Sequence, residues 1–415
     1  MEDAIVRGVL FSIYPGIANS AGYYLRLGRL QMQISANAPG RLVPTTTGLP
    51  AFLPDPLPPV LTWKPRLVRA LSDADRAIGR LAAVGSALPN PHLLLRPFVR
   101  REAVLSSRIE GTRTTLSELL ASEVMGAEEG TGDLNEVAGY VRALEHGVER
   151  LGTLPLSLRL VCELHSILMA GARGGHAQPG EFRRSQNWIG PPGSSPENAT
   201  YVPPPPGPAL NEALAAWEVF LHDRSLPPLV QAGLAHYQFE AIHPFLDGNG
   251  RVGRLIITLF LIERGLLPSP LLYLSAFFEA TRRDYYDLLL GVSVQGAWEE
   301  WLEYFLNGVA RQSEDAVERI ERIERLLAAW RKGFENAGSK VPLATIDQLA
   351  GNPFWTIGGL AERLGVAYTT ARRAIERLEA AGILTPTNGK RDRVWCAREL
   401  LAILDEPAFL GGSER

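Results

Sequence analysis

Cysteine is almost absent from this 415-residue chain: Cys162 and Cys396 are the only two, and they lie far apart. Two such residues give no disulfide framework and no metal set. That suits a reducing compartment, and the cytoplasm is the expected location. Long apolar runs are missing as well. The longest mainly apolar stretch, Leu255 to Ile262, is far too short to span a bilayer, so no membrane partner is expected. The N-terminus, Met1-Glu2-Asp3, lacks the basic start of a secretory signal, and no export signal is expected. Charge of neither sign dominates. A net charge of −3 argues against bulk affinity for nucleic acid. No internal repeat is visible. What remains, 46% apolar and 21% charged residues, is the composition of a globular protein with a full-sized core. The length exceeds one ordinary domain, so two or three are expected.

One stretch carries chemistry: His243-Pro244-Phe245-Leu246-Asp247-Gly248-Asn249-Gly250-Arg251-Val252-Gly253-Arg254. Gly248 and Gly250 can take backbone conformations barred to other residues, so that neighbouring N–H groups point into one concavity. The run from Arg251 to Arg264 has helical composition, which puts this turn at a helix N-terminus, where unpaired N–H groups and the macrodipole favour anions. Arg251 and Arg254, three apart, share a helix face, and both can fork onto phosphate oxygens. Asp247 is a hard oxygen ligand suited to Mg²⁺ held mainly by phosphates. His243 titrates near neutral pH and is the natural general base. Taken singly, a histidine before proline is more often structural, a Gly-Asn-Gly is more often a plain turn, and two helix arginines more often form a solvated face. Nine specified positions together, each near a background of about 5%, make coincidence negligible.

The segment resembles the signature of the Fic family: His-Pro-Phe, any residue, Asp or Glu, Gly-Asn-Gly-Arg, two variable residues, Arg. The resemblance implies transfer of AMP from ATP to a hydroxyl of a target protein, the chain itself included, with pyrophosphate leaving. His243 would deprotonate the target Ser, Thr or Tyr. Asp247 would bind Mg²⁺ between the α- and β-phosphates. Gly248, Asn249 and Gly250 would cradle those phosphates, with Val252 and Gly253 in the same nucleotide-binding stretch. Arg251 and Arg254 would hold the β- and γ-phosphates. Positioning and charge neutralisation would supply the rate.

Three further segments resemble the family. Ser106-Ser107-Arg108-Ile109-Glu110-Gly111-Thr112 is similar to its inhibitory motif, which implies that Glu110, with Ser106, engages Arg254 and denies it to the γ-phosphate. Ser106 alone could equally be a helix cap. Trp188 to Gly190 and Asn198 to Val202 read as two short extended runs separated by a Pro/Gly/Ser turn. The family has a β-hairpin flap here, and Tyr201, Val202 and Pro203 would dock an extended target segment by strand addition. In Asp284-Tyr285-Tyr286-Asp287, Tyr286, or else Tyr285, would line the adenine pocket.

The expected fold is mainly α: a Fic-fold helical core with a small β-hairpin flap, plus a C-terminal winged helix domain. Residues 1–53 read as a variable extension without regular structure. Residues 54–132 form an N-terminal helical region with the inhibitory helix, and 133–307 form the catalytic domain. Residues 308–339 are a linker helix, and 340–402 the winged helix-turn-helix. Helices are expected at 134–151, 158–172, 209–223 and 228–242, and an amphipathic one over 298–330. His146, His165, His222 and His236 lie on helices without a metal spacing and read as structural. In the last domain a helix, a tight turn at Gly365, a second helix from Tyr368 to Ala380 and a hairpin with Asn388-Gly389 at its tip form the pattern. Arg372, Arg373 and Arg377, with Lys390 and Arg391 on the wing, are candidate DNA contacts. A protein-interaction or dimerisation module of the same fold is the alternative, and a homodimer is a candidate assembly. Competing functions are removal of AMP, transfer of another phosphate-containing group on the same scaffold, and a DNA-binding regulator that senses ATP.

Overall fold

A computed structural model describes residues 33–408 except 47, 89–90, 127–131, 171–177, 192, 194, 196–197, 336–337 and 388–392. Helices dominate. Strands β1 (Gly40–Pro44) and β2 (Pro50–Pro54) precede helices α1 (Pro65–Ala87), α2 (Pro91–Ile109), α3 (Leu116–Met125), α4 (Gly132–Arg150) and α5 (Leu158–Met169). Then come α6 (Pro208–Leu221), α7 (Pro228–Ile242), α8 (Asn249–Glu263), α9 (Ser275–Ala280), α10 (Arg282–Gln295) and α11 (Trp298–Lys332). The last part runs α12 (Val341–Leu349), β3 (Phe354–Thr356), α13 (Ile357–Leu364), α14 (Tyr368–Ala380), β4 (Thr385–Pro386), β5 (Val394–Cys396) and α15 (Arg398–Asp405).

Helix α7 is central. It is buried on every side from Leu229 to Phe239 and again at Ala241 and Ile242, the pattern of a helix enclosed by others rather than one half-facing water. Gly233 lets α11 approach closely, since a methyl there would sit 3.0 Å from Leu302 Cδ2 and 3.1 Å from Phe305 Cδ1. Trp301 Nε1 uses that approach to donate to Gly233 O at 2.9 Å. Pro228 opens α7 behind the cap residue Pro227, and Pro244 follows its end, since proline suits a helix's first turn but not its interior.

Two sequence expectations need correction. Residues 40–54 are not irregular: β1 and β2 pair antiparallel from Gly40↔Pro54 to Pro44↔Pro50, and Ala51 and Phe52 are fully buried. Phe52 N–H donates to Val202 O at 2.8 Å, which ties this hairpin to the core. Residues 1–32 of the same expected extension lie outside the described residues. Residues 308–332 are not a separate linker either. They continue α11, whose apolar side from Trp301 to Leu327 is buried, largely along α1.

In the last part, β3, β5 and β4 form an antiparallel sheet in that order. Thr356 caps α13 by accepting from Gly359 N–H, and Gly365 ends it in a left-handed conformation, a position where glycine avoids the Cβ penalty. Among the described residues no helix is long and apolar enough to cross a membrane.

Candidate active site

His243 sits one residue beyond α7 in the left-handed region, φ 48° and ψ 62°. Its N–H donates to Phe239 O at 2.9 Å, so the chain leaves the helix in a tight kink. The loop that follows is held from within. Phe245 is fully buried and stacks on His165, with ring centroids 3.7 Å apart and 6° between planes. Gly180 N–H donates to His165 Nδ1 (2.9 Å), which fixes the proton on Nε2, so Nε2 donates to Asp247 O (3.1 Å). His165 is therefore structural, as its sequence reads, but what it supports is this loop.

Gly248 is the N-cap of α8 with φ +77°, as its position in the motif demands. Gly250 is glycine for another reason. It lies inside α8, and a methyl there would collide with Glu110 Oε1 and stand 2.9 Å from Arg254 Nη1. Close approach, not a left-handed backbone, excludes a side chain. The first intrahelical bond runs from Val252 N–H to Gly248 O (3.0 Å), so the N–H groups of Asn249, Gly250 and Arg251 belong to the unsatisfied first turn that attracts anions.

In three members of the stretch the side-chain position is taken up by packing or by the loop itself. The Asn249 side chain is spent on Phe245, accepting from its N–H (2.8 Å) and donating to its carbonyl (2.9 Å). Only its main chain remains for a phosphate. Val252 is fully buried in the core. Gly253 faces α7, where a methyl would strike Glu240 Oε1. At 100° per residue, the positions after Arg251 rotate into the protein before Arg254 returns to the site.

Both arginines are nearly inaccessible, Arg251 at 3% and Arg254 at 2% side-chain exposure, and each has a carboxylate partner. Arg251 Nη1 pairs with Glu136 Oε2 of α4 at 3.0 Å. Arg254 Nη2 pairs with Glu110 Oε1 at 2.6 Å and also donates to Ser106 O at 2.9 Å, while Nε donates to Ser106 Oγ at 2.9 Å. Ser106 and Glu110, one helical turn apart at the end of α2, thus converge on one guanidinium. Glu110 is 33% exposed, with its carboxylate turned toward Arg254. Desolvation pushes that carboxyl up, but Arg254 outweighs it and holds it below the ordinary value. Burial pulls Arg254 down and Glu110 more than reverses this, so the guanidinium is held above its ordinary range. Glu240, beneath the same group, has an unpartnered Oε1, and burial pushes it up to about 8.

Burial, then the nearby Arg183 cation, lowers His243 to about 4. The imidazole is neutral at pH 7, the form a base requires. Asp247 is 57% exposed, and its Oδ1 accepts from Gly248 N–H at 2.6 Å. Among the described residues no group of three or more His, Cys, Asp or Glu could hold a metal. A single accessible carboxylate at a phosphate cradle suits Mg²⁺, which takes most of its ligands from nucleotide and water.

The flap is slighter than the expected hairpin: one antiparallel bridge, Ile189↔Tyr201. Tyr201 N–H and O both bond to Ile189 (3.0 and 2.8 Å), and Val202 O accepts from Phe52. The Tyr201 hydroxyl donates to Ala241 O at 2.8 Å. Tyr201 and Val202 are thus anchored at the turn's base, and Pro203 has no N–H to offer. Tyr285 is buried and bonds His236 Nε2 at 2.8 Å. Tyr286 is 41% exposed, and of the two it has the accessible ring.

Arg372 and Arg373 are exposed on α14. Arg372 pairs with Glu376 at 2.8 Å, and Arg377 lies 5.7 Å over the Phe334 ring. Lys390 and Arg391 lie outside the described residues. Sequence reasoning missed Arg183, Glu136 and Glu240. It had one usable signal for His165, a polar interruption of the apolar stripe Leu160, Val161, Leu164, Leu168.

The model of the Fic/DOC family N-terminal region matches residues 68–149, and that of the Fic/DOC family matches residues 155–261. A protein adenylyltransferase Fic of Drosophila virilis is 32% identical over 169 residues, covering 39% of this chain and 32% of that protein. Its namesake from Drosophila ananassae is 31% identical over 169 residues, with 39% and 31% covered. The match spans about a third of the length of these curated relatives. A crystal structure of a Fic family protein from Desulfovibrio desulfuricans G20 has a similar fold, with TM-score 0.54 and 21% identity over 82% of this chain and 98% of that one.

Proposed function

This chain is a member of the Fic/DOC family, and we propose that it transfers AMP from ATP to a hydroxyl of a protein. The observation that carries the reading is the join of α7 to α8. It sets a half-buried imidazole, lowered to about 4 by burial and Arg183, beside a glycine-lined helix N-terminus backed by two buried guanidinium groups. His243 takes the proton of a Ser, Thr or Tyr hydroxyl. The freed oxygen attacks the α-phosphorus, the α–β phosphoanhydride bond breaks, and pyrophosphate leaves. Main-chain N–H groups at the start of α8 receive phosphate oxygens, and Arg251 and Arg254 fork onto the outer phosphates. Asp247 would hold a magnesium ion together with the nucleotide, and the ion would supply neutralisation of phosphate charge. Tyr286 is the aromatic wall for the adenine.

The same geometry supports self-inhibition. Arg254 cannot grip both Glu110 and a phosphate with the same donors, and Glu110 Oε1 fills the space that the absent Gly250 side chain leaves. Incubating the chain with Mg²⁺ and ATP labelled on the α-phosphate tests the reading. Intact mass is expected to rise by one AMP on the chain or on an added target, most strongly for Glu110→Gly. Label arriving from the γ-phosphate would mean phosphorylation. Loss of AMP from a modified protein would mean the reverse reaction. No transfer by either chain rejects the proposal.

The exposed Tyr368, Arg372 and Arg373 on α14 support a second role, with this helix lying in the DNA major groove as in winged helix domains. Binding to a duplex should then weaken steeply with salt, and Arg373→Ala should weaken it further. Salt-independent retention rejects it.

A further inference from the structure

Arg183 is 2% exposed, and among the described residues it forms no ion pair. Its guanidinium donates to main-chain carbonyls instead. Nε reaches His243 O at 2.9 Å, and Nη2 reaches Pro204 O at 2.5 Å and Ile242 O at 3.4 Å. Nη1 reaches Ser185 O at 3.4 Å. Its own N–H donates to Pro244 O at 2.9 Å. Three segments therefore meet on one side chain: the C-terminus of α7, the base of the flap, and the loop that carries Arg183. A planar fork can hold several acceptors at fixed angles, and a cation at a helix C-terminus meets the negative end of the dipole.

We propose that Arg183 is a positioning residue that locks the left-handed turn presenting His243 and fastens it to the flap base at Pro204. His243 and the foot of the flap then move as one unit. The inference rests on the reading of His243 as the base. A second consequence follows from charge. The groups facing His243 are Arg183 from the loop before the flap, Glu110 from the end of α2, Asp247 from the loop before α8, and the main chain of Glu240 in α7. Burial and Arg183 oppose protonation, while the two carboxylates and the Glu240 main chain favour it. Removing the Arg183 cation leaves burial alone to oppose the carboxylates, so the imidazole should bind a proton more readily.

Arg183→Met and Arg183→Lys, made in the full chain, separate these effects. Histidine-labelled protein is titrated by NMR, with the His243 signal identified by its loss in His243→Asn. Amide hydrogen exchange is followed in 200–206 and 239–246. Arg183→Met is expected to raise the His243 midpoint by about one unit or more and to speed exchange in both segments together. Arg183→Lys should keep the midpoint near that of the parent yet still speed exchange, because an ammonium cannot fork to His243 and Pro204 at once. An unmoved midpoint in the methionine variant, or loosening of one segment alone, overturns the proposal. If the methionine variant does not fold, the lysine variant decides it, and unchanged exchange overturns it. Neither readout needs nucleotide transfer. A chain that behaves as expected here and yet transfers no AMP would reject the proposed function and leave the clamp standing.

Discussion

Glu110→Gly should raise AMP transfer by about 10- to 100-fold. The contact removed is a 2.6 Å charge-assisted bond to a guanidinium that is 2% exposed. Hydrogen bonds involving charged groups contribute roughly 1.5–3 kcal/mol, and each 1.4 kcal/mol corresponds to about a factor of ten. Freeing Arg254 does not leave it adrift, because Ser106 still holds Nε and Nη2 at 2.9 Å each. The substitution therefore unmasks an oriented guanidinium for the proposed phosphate contact. Glu110→Gln keeps the shape and drops the charge, so it should fall between the two. Rates of label incorporation from α-labelled ATP decide the matter. Equal rates in the parent chain and Glu110→Gly, at equal ATP affinity, would show that the Arg254 contact is structural rather than inhibitory.

The sequence carried this site unevenly, for physical reasons. The join of α7 to α8 is contiguous, so Pro244 after His243 and glycine at 248 could be interpreted locally, and α7 runs from Pro228 to Ile242 as its pattern predicts. The Glu110–Arg254 pair spans 144 positions and came only from family resemblance, since spacing does not encode such a contact. Arg183 was invisible for the same reason without that help: its acceptors at Pro204 and His243 lie 21 and 60 positions away. Glu136 reaches Arg251 across 115 positions. Asn249, Val252 and Gly253 were assigned to phosphate because they lie within the motif. Helix phase turns Val252 and Gly253 inward and the Phe245 main chain takes the Asn249 side chain, which leaves the Asn249 N–H at the open first turn. The β1–β2 hairpin was missed because its five-residue strands give a weak pattern, and part of its order comes from Val202, a partner about 150 positions away. Periodicity did find the amphipathic side of α11. It could not say that α1 covers it.

His243→Ala, made in the Glu110→Gly background so that the starting rate is measurable, should lower AMP transfer by about 10²- to 10⁴-fold, the usual contribution of a positioned base. ATP affinity should stay within about twofold, because the proposed phosphate contacts come from α8 and its arginines rather than from the imidazole. Alanine is a poor guest at φ 48°, where a non-glycine residue pays about 1–2 kcal/mol. His243→Asn is therefore the cleaner variant: asparagine tolerates the left-handed region and accepts no proton. Both should be equally inactive. The pH profile gives an independent check of which group is lost. A base that burial and Arg183 hold near 4 stays unprotonated at all higher pH. In the Glu110→Gly chain, which lacks one of the carboxylates that favour the proton, kcat/KM should therefore be flat from pH 8 down to about 5, with its half-loss at or below 4. A half-loss near the ordinary imidazole value of 6.5 would instead mean that the site opens to water before chemistry. An asparagine variant that kept its rate would pass the role of base to another group.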